Sequence, residues 1–439
     1  MKVLKFGGTS VGTPERIKRV AQLICNSEAK IVVLSATAGT TNTLEEISAC
    51  LYNNEVERAK DMINVLEFKF INFINELYHD SVTKQRAVDY ILSKFGTLWK
   101  YTKGTFNGTE NKEILSLGEL ISTTLMSLYL DENKVKNILL PALDFMRTDL
   151  NGEPDLEYIE EKLQNSLDLY EGNNLFITQG FICRNAYGET DNLQRGGSDY
   201  TASLIGAAIR ADEIQIWTDI DGMHNNDPRV VKQTRPVREL NFDEAEKLAY
   251  FGAKILHPYC IYPAKARNIP VRLLNSMQPD APGTLISNKS DDGKIKAVAA
   301  KDDVTYIKIK PVHDMRSHVF LSKVFDTFAL HKTQVDMVTT SDVGISVTVN
   351  NKEHLPQIIK ELKKYATVNM EDNMVIICVV GDLRWQNVGY EATIISALKD
   401  IPVRMISYGG SNSNVSLVMK ADDKKRALQS LNSNLFMCN

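Results

Sequence analysis

Lys5 precedes a glycine pair, Gly7-Gly8, at the end of the apolar run Val3-Leu4-Lys5-Phe6, and a second pair, Gly196-Gly197, stands between Arg195 and Ser198-Asp199. Residues of these types suit one kind of chemistry. A lysine or arginine neutralises charge on an anionic group, glycines let backbone N–H groups approach it with no Cβ in the way, and a helix N-terminus adds a favourable dipole. Phosphoryl transfer needs such positioned cations and donors, together with bound metal, more than it needs a covalent nucleophile. On local pattern alone, a plain strand-to-helix turn accounts for Gly7-Gly8 equally well. An N-capped surface helix, with Ser198 as cap, is the alternative for the second pair. A Walker loop is excluded, because Gly7 and Gly12 stand at its glycine spacing but Thr13 occupies the position that needs lysine.

Two further segments carry candidate chemistry. Thr218-Asp219-Ile220-Asp221-Gly222 follows a predicted strand, at the carboxyl edge where open α/β sheets bind ligands, and Asp227-Pro228-Arg229 closes that loop. In isolation, Asp-Gly and Asp-Pro also read as turns. Phe251-Gly252-Ala253-Lys254 places a lysine beside Gly-Ala after an amphipathic helix, and His257 reads as a structural histidine. No Ser-His-Asp, metal-protease or zinc-finger arrangement is present.

The elements that would position these residues alternate in the manner of an α/β sheet covered on both faces. Val3 to Phe6 is the first strand; Thr13 caps a helix with Pro14 at its first position, and Ile31 to Leu34 is the second strand. Helical spacing dominates from Leu44 to about Phe95 and from Ile114 to Leu130, and strands are predicted near residues 137–140, 175–180, 213–220 and 270–274. Polar Pro/Gly-bearing stretches at 278–283 and 290–293 mark a domain boundary near residue 295. Beyond it the order is βαββαβ, followed by a second pass of the same pattern from Val375 to Leu431. The expected division is a catalytic domain over 1–295, a first regulatory unit with its preceding strand over 296–370 and a second over 371–439.

At 439 residues the chain is too long for one ordinary core, so two or three domains are expected. A net charge of -4 argues against nucleic-acid or membrane-surface binding, which demands a basic field. The six cysteines are scattered with no C-x-x-C pair and read as reduced thiols. No signal segment opens the chain and no apolar run reaches membrane-span length, so the expected address is the cytoplasm.

Taken together, these segments resemble the aspartate kinase family, within the amino acid kinase fold. The resemblance rests on Lys5 to Val11, Ser35-Ala36-Thr37-Ala38-Gly39-Thr40-Thr41-Asn42, Gly118-Glu119-Leu120, Thr178-Gln179-Gly180-Phe181, Arg195 to Asp199, Thr218-Asp219, Asp227-Pro228-Arg229 and Phe251 to Lys254. It implies a three-layer αβα sandwich with two C-terminal ACT domains, one inserted into the other in relatives. It implies L-aspartate and ATP as substrates, with Mg²⁺ carried by ATP oxygens and water. Lys5 and Asp199 would sit at the reacting centre. Arg195 would bind the substrate α-carboxylate and Glu119 its ammonium, with Ser35 and Thr41 lining the same pocket. Gly7, Gly8, Gly197, Ser198, Thr218, Asp219, His224, Arg229 and Lys254 would hold the nucleotide along with Lys5. Asp336 and Ser341 match positions at which lysine-inhibited relatives bind their effector, whereas Asp314 and Val319 replace the usual Met and Gly there. A lysine or threonine effector and a homodimer are therefore expected. Asn192-Leu193-Gln194 stands where relatives carry Thr-Leu-Gly, and His224 where they often carry Tyr. The alternatives are a related glutamate or acetylglutamate kinase, and a catalytically silent amino-acid sensor.

Overall fold

A computed structural model describes residues 1–104, 106, 108–193, 196–252, 256–289, 293–312, 316–341 and 344–437. In chain order the elements are β1 Lys2–Phe6, α1 Pro14–Ile24, β2 Lys30–Leu34, α2 Thr40–Tyr52, α3 Val56–Leu77, α4 Ser81–Tyr101, α5 Gly108–Glu132, β3 Ile138–Leu140, α6 Leu156–Asp168, β4 Leu175–Gln179, β5 Ile182–Arg184, β6 Thr190–Asn192, α7 Gly197–Ala208 and β7 Ile214–Thr218. They continue with β8 Glu239–Asn241, α8 Phe242–Tyr250, α9 Ile261–Ala266, β9 Val271–Asn275, β10 Thr284–Ser287, β11 Ile295–Pro311, α10 Ser317–Leu330, β12 Met337–Ser341, β13 Gly344–Val349, α11 Leu355–Leu362, β14 Ala366–Gly381, α12 Tyr390–Ala397, β15 Met405–Ser407, β16 Asn414–Lys420 and α13 Lys424–Phe436.

The chain divides into two compact units, Met1–Met223 with Ile255–Asn288, and His224–Lys254 with Lys289–Asn439. In the first unit β3, β4, β2, β1, β7 and β9 pair in that order as parallel neighbours, and β10 closes on β9 antiparallel. Val3, Phe6, Ile31 to Leu34 and Ile177 are fully buried, as strands covered on both faces must be. The long helical region predicted from Leu44 to Phe95 resolves into α2, α3 and α4, with Ile47, Ile63, Phe70, Ile74, Ile91 and Phe95 turned into one core. Thr13 caps α1 as its sequence indicates, accepting from Arg16 N–H at 3.3 Å with Pro14 at the first helical position.

The second unit departs from the sequence expectation in two ways. The segment His224–Lys254, placed by sequence in the catalytic domain, packs with the C-terminal sheet. Val231 joins the core of Val298, Val375 and Ile377, the Asn226 amide donates to the Leu428 carbonyl at 3.0 Å, and Glu244 pairs with Lys296 at 3.0 Å with both side chains buried. Apolar burial draws the segment there, and the Pro/Gly-rich stretch near 280 gives no sign of it.

The second departure is from the linear cut at residue 370: the two βαββαβ units are nested, one inserted into the other as the family resemblance implies. The first half of β11 pairs with the second half of β14, from Ala297↔Val380 to Lys301↔Ile376, whereas its second half pairs with the first half of β14, from Tyr306↔Glu371 to Pro311↔Ala366. The first ACT unit thus runs from Val304 to about Glu371 around its own core of Ile307, Phe320, Val324, Val347 and Ile358. The second takes residues 295–301 as its last strand and the rest from Met374 onward. A linear cut at residue 370 removes that strand. The register shifts between Lys301 and Tyr306 mark where each long strand passes from one unit to the other. Because Lys301 and Ile376 lie opposite each other, replacing residues 302–375 by a two-residue Asn-Gly turn should leave a chain that melts cooperatively by circular dichroism. Excising 296–370 instead strips one neighbour from β14 and should give an aggregating product by size-exclusion chromatography.

Candidate active site

β1 lies between β2 and β7, so the residues that follow these three strands share one carboxyl edge. Lys5 sits in the central strand, opposite Val33 on one side and Ile216 on the other. Its Nζ lies 2.6 Å from Oδ1 of Asp199, with the two side chains only 11% and 13% exposed. The contact is an ion pair between two nearly buried side chains. Asp199 belongs to the first turn of α7, where the dipole favours a carboxylate, and Gly196 at the N-cap offers no side chain to the free N–H groups.

Close approach of backbone dictates the glycines here. A Cβ on Gly8 would lie 2.6 Å from the Ala36 carbonyl oxygen, and one on Gly118 would lie 2.6 Å from the Ala36 Cβ. Gly118 therefore lets α5 touch the loop after β2, which is how Glu119 arrives beneath Ala36. Gly196 holds a left-handed φ of +77°, and a Cβ there would strike His257. Phe181 also sits at a positive φ, +68°; its N–H donates to Thr201 Oγ1 at 2.9 Å, and that hydroxyl donates to the Gly197 carbonyl at 2.8 Å. The tether fixes the start of α7 against the end of β4 and stores some backbone strain.

A cavity of about 540 Å³ opens over this edge and is lined by Lys5, Gly8, Ser35, Thr41, Glu119, Gly197, Ser198 and Asp199 together with Thr37, Phe181 and Asn192. Eight of the residues singled out from sequence are therefore brought together. Glu119 is 3% exposed; its Oε1 accepts from Ala36 N–H at 3.1 Å and its Oε2 has no partner. Burial pushes its carboxyl up to about 8, against the lowering effect of the Ala36 N–H and of the Lys5 charge. Such a carboxyl is poised for a cationic ligand group, which would restore its ionised form.

Gly7, Thr218 and Asp219 stand at the same edge. Gly7 N–H donates to the Trp217 carbonyl at 3.2 Å, and Thr218 Oγ1 donates to Asp219 at 3.1 Å. Ser276, which the sequence reading passed over, shares a hydroxyl contact of 2.8 Å with Ser10, and its Oγ donates to the Thr218 carbonyl at 3.0 Å. They tie the first glycine loop to the end of β7. His224 and Arg229 belong to the second unit, where His224 Nδ1 meets Thr234 Oγ1 at 2.8 Å and Arg229 forms a bidentate pair with Asp227 at 2.7 and 2.9 Å. Arg195, Lys254 and Asp314 lie outside the described residues.

The model of the amino acid kinase family matches residues 1–275, and an ACT domain model matches residues 377–435. The lysine-sensitive aspartokinase 3 of Escherichia coli is 32% identical over 449 residues, spanning 99% of both chains. The chloroplastic aspartokinase 1 of Arabidopsis thaliana is 34% identical over 463 residues, covering 99% of this chain and 80% of the relative. The chain belongs to the aspartokinase family. Among solved structures, E. coli aspartokinase III in complex with aspartate and ADP superposes with a TM-score of 0.87 at 32% identity over 99% of this chain and 100% of that one. The same enzyme in complex with lysine and aspartate gives 0.79 over 99% of each.

Asp336, expected from the family resemblance to be an effector position, has a side chain that is 1% exposed. It is already engaged: Lys301 Nζ lies 2.6 Å from Oδ1, and Tyr250 O–H donates to the same oxygen at 2.6 Å. The Lys301 ammonium also stands 4.3 Å above the Tyr250 ring, a cation–π contact. Asp336 Oδ2 has no partner. Ser341 is exposed at the end of β12, its Oγ donating to the Gly344 carbonyl at 3.4 Å. No helix among the described residues is long and apolar enough to cross a membrane.

Glu119 makes a prediction that needs no ligand. Its folded-state value near 8 exceeds the ordinary 4.5, so its contribution to stability is fully present below about 4.5 and is lost as pH rises through 8. Relative to Glu119→Gln, the wild type should therefore lose melting temperature between pH 5 and pH 9. A difference between the two that stays constant with pH would show the carboxyl is not held neutral.

Proposed function

We propose that the chain transfers the γ-phosphoryl group of ATP to the side-chain carboxylate of L-aspartate, giving 4-phospho-L-aspartate and ADP, the first step toward lysine, threonine and methionine. The observation that carries this reading is one cavity holding the Lys5–Asp199 contact at 2.6 Å together with the partnerless Glu119 Oε2. A carboxylate oxygen of the substrate attacks the γ-phosphorus, the bond to the β,γ-bridging oxygen breaks, and its electron pair leaves with ADP. The nucleophile is already ionised and needs no general base. Lys5 offsets charge on the transferring group, Asp199 keeps the ammonium in place, and N–H groups at the start of α7 face the same oxygens. Glu119 takes the substrate ammonium, Ser35 and Thr41 flank it, and Arg195 is assigned its α-carboxylate by family likeness. Thr218 and Asp219 are assigned to the nucleotide with Gly7, Gly8, Gly197 and Ser198, and His224, Arg229 and Lys254 join them on the same ground. In this reading Mg²⁺ arrives held largely by ATP oxygens and water.

The glutamate-type kinase and the silent sensor are weaker readings. A sensor has no use for a buried Lys–Asp pair beside a neutral glutamic acid, which costs stability with no return. The chain's likeness to E. coli aspartokinase over its whole length favours aspartate over glutamate. With Mg-ATP, hydroxylamine should trap an acyl phosphate from L-aspartate and much less from L-glutamate, whose extra methylene displaces the reacting oxygen. Lys5→Met should lower kcat by roughly 100-fold or more, with ATP binding less affected. Equal turnover of glutamate would sink the substrate assignment, and near-normal kcat in the variant would misplace the centre.

Lysine as inhibitor and a homodimer built on the regulatory unit belong to the same reading. Val319, Phe325, Leu330 and Val338 leave apolar surface on the first ACT unit for a partner. An effector's ammonium seeking Asp336 has to displace Lys301, because one buried carboxylate balances only one cation. Lys301→Gln should lower the lysine concentration for half-inhibition, by roughly tenfold for a charge-assisted contact no longer contested. An unchanged or weakened response to lysine would remove Lys301 from that role.

A further inference from the structure

Asn192 combines a fixed backbone with a side chain that has nothing to hold. It ends β6, in register with Ile182 of β5, and its N–H donates to Asp191 Oδ1 at 2.7 Å. The next residue, Leu193, donates its N–H to the Phe181 carbonyl at 2.7 Å, and the preceding Asp191 is paired with Lys112 of α5 at 2.9 Å. Asn192 is thus pinned from both neighbours and across the hairpin. The residue lines the cavity that holds Lys5, Glu119 and Asp199; neither its Oδ1 nor its Nδ2 has a hydrogen-bond partner, and both are shielded from water. Because both ends of the amide are unpartnered, interchanging them changes nothing in this count.

A buried carboxamide with two unmet hydrogen-bonding ends is unfavourable unless something arrives to meet them. The terminal torsion of asparagine is broad, so the amide can turn toward the cavity without leaving its rotamer well. The ligand that satisfies both ends carries an acceptor and a donor close together, as the carboxylate and ammonium of an α-amino acid do.

We infer that Asn192 is a substrate-binding residue, its amide nitrogen donating to a carboxylate oxygen of the bound amino acid and its amide oxygen accepting from the ammonium. The inference rests on the reading of this cavity as an amino acid kinase site and adds a residue to it. It also gives a function to the departure at this position, where relatives often carry threonine: the longer carboxamide supplies two bonding ends from a strand that cannot shift.

The test uses the full chain and steady-state kinetics on whichever amino acid the wild type phosphorylates. Asn192→Leu keeps the bulk and Asn192→Ala opens space, so a response common to both reflects lost hydrogen bonds and not obstruction. Both should raise KM for the amino acid by about 10-fold or more, the size expected for a bond to a charged group, while kcat changes less. KM for ATP should move by less than about twofold, and Asn192→Leu should melt at or above the wild-type temperature, since removing an unmet buried amide costs the fold nothing. An amino-acid KM unchanged in either variant overturns the inference, as does a rise accompanied by an equal rise in the ATP KM and a lowered melting temperature, the pattern of a structural residue. If the wild type phosphorylates an amino acid other than aspartate, the substrate assignment falls, and the fate of Asn192 is still decided by these constants.

Discussion

The contact between Lys5 and Asp199 is the constraint around which the first unit is organised. A lysine in the middle strand of a parallel sheet and an aspartate on the first turn of a facing helix stay within 2.6 Å only if β1, β2 and α7 converge on one edge. Both side chains are nearly buried, so each depends on the other: taking one away would leave an uncompensated charge at a cost of about 3 to 5 kcal/mol. The pair is nonetheless not saturated, because Lys5 retains N–H groups for an incoming anion. That incomplete satisfaction distinguishes a site from a structural ion pair.

Convergence is bought with glycine. Gly8, Gly118 and Gly180 each stand where a Cβ would come within 2.6 Å of another residue's atoms, so three separate elements meet the loops after β1, β2 and β4 at backbone distance. The same crowding excludes water from Glu119 and raises its proton affinity, so packing geometry and site chemistry have a single cause. Phe181 at positive φ is the strained consequence, held by Thr201 between two chain segments.

What was legible in the sequence follows from range. Lys5, the two glycine pairs, Thr13 with Pro14, and the buried strands are read from neighbours within a few residues, and the structure places them as the local pattern requires. Glu119 was reachable only through a family resemblance, since a glutamate inside an amphipathic helix has no local mark of burial; its mark is Gly118, whose purpose appears only once Ala36 lies against it. Ser276 was out of reach for the same reason, and Asn192 was marked only as a departure from the family's threonine. Ser276 acts on Thr218 and Ser10 from a different strand, and what singles out Asn192 is the bonds it does not make.

The nesting of the second unit shows how far a linear reading can mislead while each element is correctly assigned. The strand at residues 295–301, assigned by sequence to the first unit as its preceding strand, completes the second. One strand therefore carries both units, and Lys301 sits at the point of transfer, where the register shifts. Its ammonium reaches Asp336 of the first ACT unit and the ring of Tyr250 at the end of α8, while Ala299 and Ala300 pair with Cys378 and Ile377 of the second. A Cβ on Gly252, two residues past Tyr250, would lie 2.2 Å from the Ala300 carbonyl oxygen, so the end of α8 is pressed against the same stretch of strand. A cation that displaced Lys301 from Asp336 would thus disturb a buried ion pair, a phenol hydrogen bond and a ring contact together. The ion pair and the ring contact both belong to Lys301 and are lost together when it leaves, and the Tyr250 hydrogen bond ends on the same carboxylate oxygen.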